Sequence, residues 1–308
     1  MKKTHVLLSM ILLGSILLTA CGGTGQNSDD LLAQILERGT LIISTDPAYP
    51  PQSALKANPQ RTEGTKCTSD QSTLGELEGF DIDTAAAIAD ALGVEPCFLS
   101  IDWGMIVSGN WAGRFDISVG SVSITPERAR VLYFAQPYYA VPAAIFVNQE
   151  NTTYIDPADL SGKRIGVCGG CTYESFLNKT LAIPGVELNF VIENADIKTY
   201  DTDSTALEDL ALGDGVRLDA VLTAQPTGLT AIANGRPIKQ LGAPVFFEFN
   251  APAIDRNSLV DPASFLARVN EIIQSLHQDG TLLNLSTIYY GGDYTTSAGA
   301  FSLGDINK

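Results

Sequence analysis

The sequence predicts an α/β protein built in two units. Apolar, β-branched runs alternate with helical patterns along both halves of the chain, an order that implies parallel sheets with helices on both faces. The 308 residues exceed a single domain at about 150 residues each. Apolar residues make up 45% of the chain and charged residues 18%, which supplies a large core and is wrong for a disordered chain.

Residues 28–38 (SDDLLAQILER) read as a helix with Ser28 as its cap, acids in the first turn and Gly39 past its end. Residues 40–45 (TLIIST) read as a buried strand. The polar, turn-rich stretch 50–78 reads as an inserted surface loop pinned by Cys67. An Ala-rich helix over 81–92 ends at Gly93 and leads into a strand over 94–100. A short strand follows at 115–119, and 130–134 leads into Pro137-Tyr138-Tyr139. The second unit begins near Val141. Residues 163–167 form a strand, two glycines turn, and 172–177 start a helix. Further strands are expected at 188–192 and 220–223, the latter after a helix over 205–212. Asp261-Pro262 open a helix with Phe265, Leu266, Val269, Ile272, Ile273 and Leu276 on one stripe, closed by Gly280. The Gly/Ser/Thr-rich tail over 293–308 is expected to be loose.

The formal net charge is -16, which repels nucleic acid and anionic membrane surfaces alike. The chain's two histidines are His5 and His277, too few for a multi-histidine metal site. His277 falls on the last turn of its helix, where an imidazolium suits the dipole, and reads as structural. No metal and no cofactor are expected.

Lys2 and Lys3, an apolar run over 6–18 and then Leu18-Thr19-Ala20-Cys21 have the layout of a secretory signal. Leu-Thr-Ala-Cys resembles the bacterial lipobox, so Cys21 is expected to carry lipid, with residues 1–20 removed and 21–28 a flexible tether. That places the chain outside the cytoplasm, anchored in the cell envelope through lipid alone. Of the other cysteines, Cys168 and Cys171 are close enough in sequence to bond to each other, leaving Cys67 for Cys97; four cysteines allow three pairings. No thioredoxin-like pattern surrounds the CxxC, and the spacing is not that of a zinc site.

Several blocks, in order, resemble the family 3 extracellular solute-binding proteins, the polar amino-acid receptors of ABC importers. They are Arg38-Gly39-Thr40-Leu41, DPAYPP (46–51), GFDIDT (79–84), SVSITPER (121–128) ahead of Phe134 and Pro137-Tyr138, DLSGKRIGV (159–167) and QDGT (278–281). The resemblance implies the type II periplasmic-binding-protein fold: two α/β lobes, about 29–141 plus 248–292 and 142–247, joined by a two-strand hinge with ligand in the cleft between them. In open α/β sheets ligands bind beyond the strand C-termini.

The same resemblance implies the site. Thr125 suits an N-cap and Pro126 a first helical position, so Arg128 falls where free N–H groups and a guanidinium converge on an anion. Arg128 would grip the ligand's α-carboxylate with help from Ser123. Tyr49 and Trp103 would sandwich its side chain. Gly120 and Ser121 would face its ammonium. Cys168, Cys171, Thr172 and Tyr173 would form the closing loop, with Thr172 donating to the carboxylate. One departure matters. The family's ammonium-binding Asp would fall at Ala224, followed by Gln225 as a ligand contact, and an alanine leaves a buried ammonium without charge compensation. Asp46 and Asp102 are the candidate substitutes.

The expected function is therefore a monomeric receptor that captures a small polar solute, an amino acid or related carboxylate, by lobe closure and delivers it to the permease and ATPase subunits of an ABC importer. Two alternatives are a cleft enzyme resembling cyclohexadienyl dehydratase, with Glu174 as its general acid, and a sensory ligand-binding module.

Overall fold

The computed structural model describes residues 29–304 and 306–308. The leader, Cys21, the tether and the expected cap Ser28 lie outside the described residues. Helix α1 (Leu31–Arg38) is capped by Asp30, whose side chain accepts from the Leu32 N–H, and ends at Gly39 in the left-handed region at φ 72°. Strand β1 (Thr40–Thr45) follows as expected, buried nearly throughout. The stretch read as a bare loop instead folds a small antiparallel sheet of β2 (Ala48–Tyr49), β3 (Ser53–Leu55) and β4 (Leu77–Glu78). Helix α2 (Phe80–Leu92), β5 (Glu95–Ser100), α3 (Trp103–Ser108), β6 (Ile117–Ser118) and β7 (Leu132–Phe134) complete this half. Cys67 is bonded to Cys97 of β5, fastening the inserted segment to the sheet.

The other half contains β8 (Tyr139–Asn148), β9 (Arg164–Cys168), α4 (Thr172–Leu177), β10 (Asp196–Tyr200), α5 (Asp203–Ala211), β11 (Ala220–Ala224), α6 (Gln225–Ala233) and β12 (Ile238–Asn250). The chain then returns through β13 (Ala253–Asp255), α7 (Ala263–Gln278), α8 (Thr281–Tyr290) and α9 (Thr296–Gly299). Among the described residues the large sheets are five-stranded, ordered β5-β1-β6-β13-β7 and β10-β9-β11-β8-β12. Each has a parallel centre on β1 or β9 and antiparallel strands at one side, so the sheets are mixed rather than wholly parallel. The protein has two α/β lobes, one on each sheet. The long strands β8 and β12 pair antiparallel from Asn148↔Ile238 to Tyr139↔Asn250 and run from the second sheet to the edge of the first. Ser123 of the first lobe bridges to Asn250 at that end.

The structure corrects three further expectations. Residues 188–192 form no strand: Phe190 packs on Phe176 with ring centroids 5.2 Å apart and Ile192 is buried, so the apolar side chains seal α4 without joining a ladder. The paired segment is β10, at the sheet edge, whose largely exposed and polar residues hide its pattern. The tail is packed rather than loose. Phe301, Leu303 and Ile306 lie against a core cluster that includes Trp111, Leu132 and Phe134. The Asn307 amide accepts from the Phe134 N–H at 2.9 Å and donates to its carbonyl at 2.7 Å, covering the outer edge of β7. Finally, Arg128 begins no long helix but a single 3-10 turn, Arg128–Arg130.

Candidate functional site

The two lobes meet over one cleft. Arg128 enters it from the turn after Thr125, whose Oγ1 accepts from the Arg128 N–H at 3.2 Å, so the predicted cap acts on a shorter element. The Arg128 side chain is 7% exposed. Nη1 donates to the Ser123 carbonyl at 3.1 Å, and Nη2 donates across the cleft to the Gly170 carbonyl at 3.2 Å. The guanidinium carbon stands 5.1 Å from the centre of the Trp103 ring, a cation–π geometry. Among the described residues no carboxylate lies within ion-pairing distance of it. Burial pushes its pKa down to about 10, with Glu248 acting in the opposite direction. Two carbonyls and an indole face orient this cation without neutralising it, so it can receive an anion.

Opposite charge enters from the other side. Glu248, on β12 and 2% exposed, accepts from Ser123 Oγ and Thr172 Oγ1, each at 2.6 Å, on one oxygen and from the Tyr173 hydroxyl at 2.8 Å on the other. Ser123 belongs to the first lobe and Thr172 to the second, so one hinge-strand carboxylate gathers hydroxyls from both. Asp203, the first residue of α5, also lines the cleft, and its Oδ1 is buried with no hydrogen-bond partner. Burial raises the Asp203 pKa to about 7 against the nearby Thr223 hydroxyl, with Asp46 and Glu248 reinforcing the rise. Asp46 is raised too, by burial.

Beneath the cleft floor lies a third buried acid, Asp81. Ser121, at φ 58° in the left-handed region that a serine seldom adopts, turns its Oγ onto Asp81 Oδ2 at 2.6 Å, and the Tyr138 hydroxyl donates to Oδ1 at 2.7 Å. Burial pushes Asp81 up to about 7 against these two hydrogen bonds.

Tyr49, Trp103, Gly120, Ser121, Ser123, Arg128, Cys168, Cys171, Thr172 and Tyr173 all line the cleft. Tyr49 and Tyr173 approach each other through their hydroxyls at 3.4 Å, one from each lobe. Gln225 does not line it: its amide donates to Gln240 at 2.9 Å, because the residue opens α6 facing the hinge strand. The Ser121 hydroxyl is committed to Asp81 rather than presented to a ligand. Of the two acids weighed as substitutes at residue 224, Asp46 lines the cleft and Asp102 caps α3 by accepting from the Met105 N–H. Glu248 and Asp203 were missed, since each lies far in sequence from any motif and neither stands next to a recognisable block. Cys168 and Cys171 are bonded to each other. Their sulfurs and an Asp203 oxygen lie within 4.8 Å of one another, but a disulfide offers no thiolate to a metal. Glu174 accepts from the Gly170 N–H at 2.7 Å and closes the glycine turn.

Two lobes on separate sheets, a two-strand connection and a polar, charged cleft between them define a two-lobed solute-binding protein. The chain belongs to the bacterial extracellular solute-binding proteins, family 3, whose model matches residues 66–292. It is 28% identical to the L-cystine-binding protein TcyJ of Escherichia coli (strain K12), over 87% of this chain and 88% of that protein. It is also 28% identical to the probable amino-acid-binding protein YxeM of Bacillus subtilis (strain 168), over 96% and 97%. Its fold superimposes on an ancestral arginine-binding protein bound to arginine with a TM-score of 0.66, at 27% identity and covering 82% of this chain and 99% of that one. These relatives are named as binding proteins.

Proposed function

We propose that this chain is the non-catalytic receptor of an ABC importer for an amino acid, held in the envelope through lipid on Cys21. On this reading the lobes are 29–141 with 248–308, and 142–247. Ligand settles on one lobe, the second closes over it, and the closed form docks as a monomer on the permease. The carrying observation is Arg128: a buried guanidinium without a carboxylate partner, braced on Trp103 and reaching from one lobe to the Gly170 carbonyl of the other. A ligand carboxylate seated there supplies the missing counter-charge and touches both lobes at once, which is how a solute favours closure. The amino-acid class is supported by the names of the relatives. Glu174, the acid a dehydratase-like reaction would use, is bound to the Gly170 N–H and is no part of the cleft lining, which supports binding without chemistry.

The test is titration calorimetry with the twenty protein amino acids and L-cystine. At least one binds the wild-type protein, and Arg128→Ala weakens that binder by about 2–5 kcal/mol, the usual result of removing one partner of a buried charge pair. Unchanged affinity in the variant sinks the assignment.

A further inference from the structure

We infer that Asp203 is the acceptor for the ligand's α-ammonium group, and hence the residue by which this cleft distinguishes an amino acid from a plain carboxylic acid. The inference rests on the amino-acid reading above and adds the second anchor. Asp203 is 6% exposed, lines the cleft and leaves Oδ1 without a hydrogen-bond partner. An unsatisfied carboxylate oxygen in a dry site is costly. The Asp203 carboxyl lies against the sulfurs of the Cys168–Cys171 disulfide, which carry no proton to donate. The buried Thr223 hydroxyl lies close enough to pull the Asp203 pKa down, yet like Oδ1 it makes no hydrogen bond, and the other groups that act on Asp203 are the acids Asp46 and Glu248. A hydroxyl such as Thr223 brings no charge, so a donor from outside is needed to balance the carboxylate, and in this company a cation does so best.

Position selects the α-ammonium. The loop from Cys168 to Cys171 is approached both by Asp203, at the sulfurs, and by Arg128, at the Gly170 carbonyl. A positive and a negative side chain converging on one four-residue loop match a zwitterion whose ammonium and carboxylate are both borne by one carbon. Glu248 is less suited as the primary acceptor. Its two oxygens already take three hydroxyl protons, leaving about one of four lone-pair positions free. At residue 224, where the family resemblance implied an acid, the chain has an alanine, so Asp203 supplies the negative charge from the helix start rather than from the strand end.

The experiment compares wild type with Asp203→Asn, an isosteric change that keeps volume and removes charge. The probes are the tightest binder found among the twenty protein amino acids and L-cystine, and the same molecule without its α-amino groups: 5-guanidinopentanoate for L-arginine, 3,3′-dithiodipropionate for L-cystine. Wild type prefers the amino acid over its desamino form by about 30-fold or more. In Asp203→Asn that preference falls to about threefold or less, while affinity for the desamino form stays within about threefold of wild type. Persistence of the full preference in the variant overturns the inference and leaves the amino-acid reading standing. Equal loss for both probes also overturns it, since that marks a structural role. Failure of every panel member to bind wild type overturns the amino-acid reading, and this inference with it.

Discussion

At the scale of single residues, Asp81 shows how the floor of the cleft is held. Its carboxyl receives Ser121 and Tyr138, which fixes the unusual backbone of Ser121 and so the position of the segment leading to Ser123 and Arg128. Burial raises its pKa from 3.8 to about 7. The native state therefore binds more protons than the unfolded state between those values, and the slope of stability against pH is negative there. The contribution is fully present below about pH 4 and is lost as pH rises through 7. Asp81→Asn keeps the shape and stays neutral. We expect it to be more stable than wild type at pH 8 by an amount on the order of a few kcal/mol, with the gap closing toward pH 4. Urea denaturation at a series of pH values measures this; a pH-independent difference contradicts the buried, proton-holding acid. Arg128 was legible in the sequence because a cap, a proline and a run of matching residues precede it. Asp81 stands in the sequence as a helix start and as part of the GFDIDT block, and neither shows that it is buried, because burial is not written in the identity of an acid.

At the scale of elements, the segment between β3 and β4 has little apolar material of its own and depends on attachment. Cys67–Cys97 closes a loop with a sequence separation of 30, worth about 3–4 kcal/mol by the chain-entropy estimate. Replacing both cysteines by serine is expected to lower stability by about that amount in guanidinium denaturation. Ligand affinity should change little, since neither residue lines the cleft. Helix α7 buries Phe265, Val269, Ile272, Ile273 and Leu276 of its expected stripe, while Leu266 is only partly buried against the core. His277 on its last turn pairs through Nε2 with the Pro137 carbonyl at 2.8 Å, a structural contact. The elements that escaped the sequence are those with weak periodicity: the two-residue β2 and β4, the exposed edge strand β10, and the tail, whose small polar residues gave no sign that Phe301, Leu303 and Ile306 would find a groove.

For the whole molecule, function depends on the balance between open and closed lobes. Besides Arg128 and Gly170, the lobes are joined where Ser204 Oγ on α5 donates to the Ala48 carbonyl at 2.7 Å and Thr227 Oγ1 on α6 reaches Gln52 Oε1 at 3.3 Å. Ser204 does not line the cleft, so its bond acts on closure and not on ligand. Ser204→Ala removes about 1 kcal/mol from the closed form. It should weaken binding of the cognate amino acid by about fivefold by lowering the closed fraction, with the same ranking of ligands. Calorimetry gives the affinity and small-angle scattering the compaction on binding. A changed ligand ranking would place Ser204 in the site instead.

The sequence by itself determined the α/β class, the two-lobed family and most of the residues that line the cleft, because these reside in local patterns: alternating strand and helix periods, caps and contiguous blocks. Of the three possible cysteine pairings, the structure shows Cys67–Cys97 and Cys168–Cys171. Tertiary structure alone decided the charge balance of the site. Asp203, Glu248 and Asp46 come from a helix start, a hinge strand and a turn widely separated along the chain, and their meeting opposite Arg128 depends on how two sheets are joined by β8 and β12. Burial then raises the pKa of Asp203 and Asp46, a property of the dielectric around them that no residue identity carries.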